Sequence, residues 1–357
     1  MSKKKSGGTK ARGRQKLTLT KMAERLGVSS ATVSNAFNRP DQLSAALRER
    51  ILSECAKAGY GGPNAAARSL RTGRTGIIGV ALSNYLSYSF TDPVAHQFLS
   101  GLAEVFEEQE YSLLLTPSRE HLSLHRGFQG FADGFVIYGP PRDEELEQLV
   151  AQNKPIVTVD FAIDGYPSVN IDNRGAADHV GRHALRAGAE VLCVLGLRLM
   201  NVNRVCRIVG KELFEESRTI TIQRLAGFRS AAHAVGLELP PERVWHVPDN
   251  THLLSLEAAK RALSASPRPD VLLCMSDRIA LGAIQAAQEL GLRVPDDVRV
   301  TGFDGIPEAD THRPTLTTVQ QESLMKGRCA AEVLLANAQT PTSLVLPTRL
   351  AIGDSCP

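Results

Sequence analysis

The chain has 357 residues, 43% of them hydrophobic and 22% charged, which suits a globular protein of two or three domains with a sizeable core. Its net charge of +3 hides an asymmetry: residues 1–75 carry 16 Lys/Arg against 4 Asp/Glu, and the rest carries 25 against 34. A basic head on an acidic body predicts a polyanion partner at one end only, and the lack of any run near the roughly 18 apolar residues of a membrane span argues against a membrane protein.

Residues 1–16 (MSKKKSGGTKARGRQ and Lys16) are predicted to be a disordered basic tail; no apolar core follows them, so no secretory signal is expected. The six cysteines, Cys55, Cys193, Cys206, Cys274, Cys329 and Cys356, lack metal-type or redox-type spacing. A large chain without a cysteine framework fits a reducing, cytoplasmic location.

From Thr18 to about Gly59 the pattern is helical. Thr20–Leu26 reads as one short helix, Gly27 as the turn, Ser29 as an N-cap and Ser30–Phe37 as a second helix. A longer third helix follows. Ala23, Val28, Val33 and Phe37 are expected to bury together, leaving Ser30, Ala31, Ser34 and Asn35 on the free face. Two helices in this arrangement suit a helix-turn-helix for double-stranded DNA; an ordinary helical hairpin is the alternative. Residues 60–76, with Gly61, Gly62, Pro63, Gly73 and Gly76, have the composition of a linker.

Beyond it, short apolar runs alternate with amphipathic segments. The runs are 77–82, 112–116, 134–138, 155–160, 191–197, 244–247, 271–275 and 298–303; the segments are 94–110, 144–153, 175–187, 225–235, 254–264 and 278–291. Apolar strands separated by helices predict parallel sheets covered on both faces. Two doubly wound lobes fit this length, with a ligand expected outside the strands' carboxyl ends, in the cleft between lobes.

Enzyme chemistry finds no support. No GxSxG, HExxH, P-loop or dinucleotide-binding glycine motif stands in its required context. The i,i+4 pairs His121/His125 and His179/His183 lack a third ligand, so neither metal nor cofactor is expected. A free-standing solute-binding protein would have the body without the head.

The run LGVSSATVSNAFN, the third helix ending in AGY, and PNAAARSLRTGRT leading into the first strand resemble the head and hinge of the LacI-type (lactose repressor and galactose repressor) family of transcriptional regulators. In the body GFADG, VNIDNRGAADHV, RLAGF, MSDRIALGAI, TGFDGI and RPTLTTVQQ follow in the family's order. The resemblance implies an N-terminal all-α helix-turn-helix head and an α/β periplasmic-binding-protein-like body of two doubly wound parallel-sheet lobes. It places the head at 17–62, a hinge helix and linker at 63–75 and the body at 76–357. Lobe 1 is expected at about 76–172 and 306–338, and lobe 2 at 173–305 and 339–357.

By the same resemblance Ser30, Ala31 and Asn35 would read bases, since Asn suits an adenine edge and Ala a thymine methyl. Ser29, Thr32, Ser34 and Asn38 would hold phosphates, and Thr20 would join them on the DNA-binding surface. Asn64, Ala67, Arg68, Leu70 and Arg71 would form the hinge contacts, with Leu70 as a minor-groove wedge. Asp160, Arg224, Asp277 and Asp304 are implied to line an effector cleft, with Tyr88, Phe90, Asp92, Phe161 and Asn250 beside them. Carboxylates, Arg and Asn together suit a small polyhydroxyl molecule such as a sugar or nucleoside. The implied molecule is a homodimeric repressor on a pseudo-palindromic operator. Residues 198–222 form a longer connection than the family's usual one.

Overall fold

The computed structural model describes residues 17–62, 73–117, 131–141, 143–208, 219–336 and 343–357. The chain divides between Thr75 and Gly76 into two compact units.

The head begins with helix α1 (Leu19–Leu26), capped by Thr18 and ended by Gly27, whose φ of 65° is the left-handed conformation that glycine tolerates best. Helix α2 (Ser30–Asn38) starts at Ser29, whose hydroxyl accepts from the Thr32 N–H at 3.0 Å. Helix α3 (Ala45–Lys57) starts at Ser44. Met22, Ala23, Val33, Ala36, Ile51, Cys55 and Tyr60 form the buried core, with Val28 and Phe37 packed at its margin. The Arg48 guanidinium donates to the Ala36 carbonyl at 3.1 Å and ties α3 to α2.

The body opens with β1 (Ile77–Leu82), then helices α4 (Leu86–Thr91) and α5 (Pro93–Glu108). Next come β2 (Ser112–Pro117), β3 (Gly134–Tyr138), α6 (Asp143–Val150), β4 (Ile156–Val159) and β5 (Ser168–Ile171). The second lobe contains α7 (Asn173–Leu185), β6 (Leu192–Leu197), β7 (Cys206–Arg207), α8 (Ile220–Ala234), β8 (Val244–Val247), α9 (His252–Leu263), β9 (Val271–Cys274), α10 (Asp277–Glu289) and β10 (Arg299–Thr301). The chain closes through α11 (Pro307–Thr311), β11 (Thr318–Gln320), α12 (Ser323–Ala336), β12 (Ser343–Leu346) and β13 (Arg349–Ala351).

Lobe 1 holds a six-stranded parallel sheet in the order β12-β5-β4-β3-β1-β2. Lobe 2 holds a five-stranded sheet, β10-β9-β6-β8-β7, parallel except for β7, which runs antiparallel to β8. Their central strands are buried along almost their whole length, as sheets covered on both faces require. One face of sheet 1 packs Phe98, Leu102 and Phe106 of α5 with Ala330, Ala331 and Leu334 of α12. The other face buries Phe135, Ile137, Leu149 and Ile156. In lobe 2, α7 and α8 cover one face around Val180 and Phe228, and α9 and α10 cover the other around Ala259 and Ile284.

The carboxyl-terminal boundaries differ from those expected. Ala309 and Leu316 pack in the lobe 2 core, so 306–316 belongs with lobe 2. Ser343–Leu346 pairs with β5 and belongs to sheet 1. β11 and β13 form a separate antiparallel pair, and Cys356 returns to the lobe 2 core. The chain thus crosses between lobes near Asp172, near Gln321 and again after Leu346.

Candidate functional site

On the head, Thr20, Ser29, Ala31 and Asn38 are exposed, while Ser30, Thr32, Ser34 and Asn35 are half-buried. All but Thr20 belong to α2 or its cap. The Ser29 and Thr32 hydroxyls lie 2.8 Å apart, so both serve the cap as well as facing outward. The Asn35 amide donates to the Gln42 side chain at 3.0 Å. Gln42 therefore orients the amide at the position expected to read a base, a contribution that its place after α2 did not reveal. The implied hinge residues Asn64, Ala67, Arg68, Leu70 and Arg71 lie outside the described residues.

In the body, the carboxyl ends of strands from both lobes converge on one cavity of about 120 Å³. Ser83 and Asn84 follow β1, Tyr138 ends β3 and Asp160 follows β4; Leu197 ends β6, Asn250 follows β8, Ser276 follows β9 and Asp304 follows β10. Parallel strands place their loops at one end, so residues distant in sequence meet there.

Arg224, in the first turns of α8, is the central cation. It is 5% exposed. Its Nε donates to Asn173 Oδ1 at 2.9 Å, and its Nη1 to the Met275 carbonyl at 2.6 Å and Asp304 Oδ1 at 3.2 Å. The guanidinium carbon lies 3.6 Å from the Phe303 ring centroid, so the ring fixes its plane. Asp304 adopts φ 130°, a region costly for a residue with a Cβ, and Gly305 follows at φ 74°. Burial pushes its carboxyl up to about 8; the nearby Asp277 and Asp92 charges add to the rise and Arg224 opposes it. A carboxyl poised there offers an acceptor or a donor.

On lobe 1, Asp160 also takes a positive φ, 65°. Its Oδ1 pairs with Lys326 Nζ at 2.6 Å. Lys326 is 1% exposed and also donates to Gln321 Oε1 at 2.9 Å. The Gln321 amide donates in turn to Asp304 Oδ1 at 2.7 Å. A continuous buried chain, Arg224–Asp304–Gln321–Lys326–Asp160, thus runs from one lobe to the other. Sequence reasoning missed Lys326 and Gln321, because a lysine on a helix ordinarily reads as surface.

Tyr88 Oη donates to Asp92 Oδ1 at 3.0 Å, Asn250 Nδ2 reaches the same oxygen at 3.4 Å, and Ser276 Oγ donates to Asn250 Oδ1 at 2.6 Å. Burial drives the Tyr88 phenol well above its usual range, with the Asp92 charge adding to it, so it stays a donor. Asp92 also caps α5 through the Ala95 N–H. The lobes meet again where Arg198 Nη1 donates to Asn84 Oδ1 at 2.8 Å and Arg278 reaches the Thr91 carbonyl.

Three expected cleft residues stand elsewhere. Asp277 is fully buried outside the cavity wall. Its Oδ2 accepts from the Gly305 and Ile306 N–H groups at 2.7 and 2.8 Å, and its Oδ1 from the Thr318 hydroxyl. Its acceptors are spent on the chain segment that carries Asp304. Burial pushes it up to about 6, against those hydrogen bonds. Phe90 is 59% exposed and does not line the cavity. Phe161 packs against the Phe135 and Leu149 cluster on the flank of sheet 1.

A family model described as a periplasmic binding protein-like domain matches residues 203–356. The HTH-type transcriptional regulator Rv3575c of Mycobacterium tuberculosis is 39% identical over 351 residues, spanning 95% of this chain and 97% of its own. The HTH-type transcriptional regulator IpsA of Corynebacterium glutamicum is 34% identical, over 89% of this chain and 90% of its own. A solved LacI-family transcriptional regulator from Corynebacterium glutamicum superposes with a TM-score of 0.70 at 29% identity, over 96% of this chain and all of its own. The chain belongs to the LacI family of transcriptional regulators.

Membership explains why one LacI-family chain carries both a helix-turn-helix surface and a separate polar cavity. The lac repressor dimer bound to operator and an anti-inducer shares the fold, with a TM-score of 0.75 at 22% identity. This LacI-family chain has, among its described residues, no helix long and apolar enough to cross a membrane.

Proposed function

We propose that this regulator is a homodimeric, cytoplasmic repressor whose operator affinity is set by a small polar effector bound between the lobes. The observation that carries the reading is the Arg224–Asp304 pair beside Asp160, Asn250 and Asp92, held at the carboxyl ends of strands from both lobes around one cavity. Its donors and acceptors lie close together, so it suits a compact polyhydroxyl molecule, a sugar or nucleoside. Asp160 and Asp92 come from lobe 1, and Arg224, Asn250 and Asp304 from lobe 2. A ligand bonding both sets favours one lobe arrangement by its differential affinity.

On the head, Ser30, Ala31 and Asn35 would meet base edges, and Thr20, Ser29, Thr32, Ser34 and Asn38 the phosphates. Residues 63–72 would carry the hinge contacts of Asn64, Ala67, Arg68, Leu70 and Arg71. Linkage then makes the effect reciprocal: effector changes operator affinity by the factor that operator changes effector affinity.

The test selects operator fragments from genomic DNA and titrates the complex with salt and with a sugar and nucleoside panel. Operator affinity should fall steeply with salt, by a log–log slope of about −0.9 per phosphate neutralised. At least one panel compound should change operator affinity in wild type and not in Arg224→Ala. A salt slope near zero would remove DNA binding, and a response unchanged in Arg224→Ala would move the effector away from this cavity.

A further inference from the structure

A second cavity lies at the opposite end of the lobe 2 sheet. It measures about 150 Å³ and is walled by Cys193, Arg207, Glu242, Arg243, Trp245 and Ser266, with two alanines. Cys193 sits near the start of β6 and Arg243 just before β8, so the cavity opens at the strands' amino ends. The effector cleft lies at their carboxyl ends. Arg207 comes from β7, the antiparallel edge strand contributed by the long 198–222 connection, whose Ile220 lines the effector cleft instead.

The wall is rich in donors that the protein itself does not satisfy. Trp245 is 7% exposed and lines the cavity wall. The Arg207 guanidinium carbon lies 5.1 Å from the Trp245 ring centroid, held over its face. One Arg243 nitrogen donates to the Pro267 carbonyl at 2.8 Å, which leaves its other N–H groups open. Neither arginine forms an ion pair among the described residues, and neither does the neighbouring Glu242. Both arginine charges reach the Cys193 thiol, which burial nevertheless pushes up to about 12, so the two cations converge on the cavity. The carboxyl end of α9 reaches the rim, where the Ser264 and Ala265 N–H groups donate to the Lys260 and Ala262 carbonyls; its dipole opposes an anion, so the two guanidinium groups must outweigh it.

We propose that this cavity is a second ligand site, built for a small phosphate group, as free phosphate or as a phosphate monoester. Two guanidinium groups against one carboxylate leave a positive balance. Donors arrive from β7, from the turn before β8, from β8 itself and, through Ser266, from the segment after α9. Tetrahedral phosphate oxygens accept from such divergent directions, whereas a carboxylate presents two oxygens in one plane.

Trp245 is the only tryptophan of the chain, so the site carries its own reporter. The full-length protein is titrated with inorganic phosphate, glycerol 1-phosphate and acetate at constant ionic strength, following tryptophan fluorescence and, in parallel, calorimetry. Phosphate or its ester should give a saturable change that acetate at the same concentration does not. Saturation by both means that the phosphate group suffices; saturation by the ester alone means that its carbon part is also read. Arg207→Gln and Arg243→Gln, each checked for an unchanged melting temperature, should raise the half-saturation concentration about tenfold or more, as loss of a charge-assisted hydrogen bond requires. A variant that melts early is replaced by Arg207→Lys or Arg243→Lys, for which a smaller rise is expected. Silence in both fluorescence and calorimetry, equal saturation by acetate, or unchanged half-saturation in the variants overturns the proposal.

Discussion

At the residue scale, Asp277 and Asp304 show how similar sequence settings diverge. Each follows a short apolar strand, and each looks like an acceptor placed at a strand's carboxyl end. Asp277 has all its bonds inside the protein, while Asp304 lines the cavity beside Arg224. Asp277→Ala should therefore act as a folding defect. It strands the buried Ile306 N–H and Thr318 hydroxyl and the half-buried Gly305 N–H, at about 1–3 kcal/mol for each buried group left unpaired. Denaturant unfolding should show a clearly lowered midpoint, and a midpoint within error of wild type would overturn this structural role. Arg224→Ala should instead keep operator binding in the absence of effector, because the head is a separate unit.

At the element scale, the packing of α5 against α12 governs how the cleft is framed. Asp92 caps α5 at the cavity, and Lys326 projects from α12 to Asp160 beneath it. The helices approach so closely that a Cβ on Gly101 would collide with the Leu324 carbonyl, and one on Gly327 with the Phe98 carbonyl. Backbone cannot yield as a side-chain tip can, so the helices must separate. Overpacking of this kind costs about 1–3 kcal/mol. Gly101→Ala should lower the melting temperature of the protein while leaving the head's helical signal intact. A melting temperature equal to wild type would show that the two helices have slack.

At the scale of the whole molecule, the two lobes are joined by a polar seam, buried at its centre and exposed at Arg198. The Asp92–Asn250 and Asn84–Arg198 bonds cross it, as does the chain from Arg224 to Asp160. Burial is the main cost, and it gives stability a definite dependence on pH. Asp304 has its folded value raised from 3.8 to about 8. Its stabilising contribution is complete below the unfolded value and declines as pH rises towards and through the folded one. The ligand-free wild type should thus lose melting temperature between pH 6 and 9, and Asp304→Asn should lose less over the same range. Parallel curves for the two proteins would show that Asp304 does not titrate there.

The sequence alone determined the head and the layered body, because both rest on local or periodic signals. Ser29 and Gly27 mark helix ends through bonds within a few residues, and continuous apolar runs such as Ile77–Leu82 and Val271–Cys274 are what a twice-covered strand needs. Family motifs placed Arg224, Asp160 and Asp304, which the structure brings to one cavity. Other elements carried no such signal. β5, β7, β12 and α12 went unread: three are strands of four residues or fewer, and α12 buries polar Ser323 and Lys326 where a core face is ordinarily apolar. Tertiary structure alone decided which aspartate faces the cavity, that Lys326 is buried against Asp160, and that the long connection adds an edge strand beside Trp245. Each depends on which chain segments meet across a sheet or between lobes, and side-chain partners 51 to 166 residues apart leave no periodic trace in the sequence.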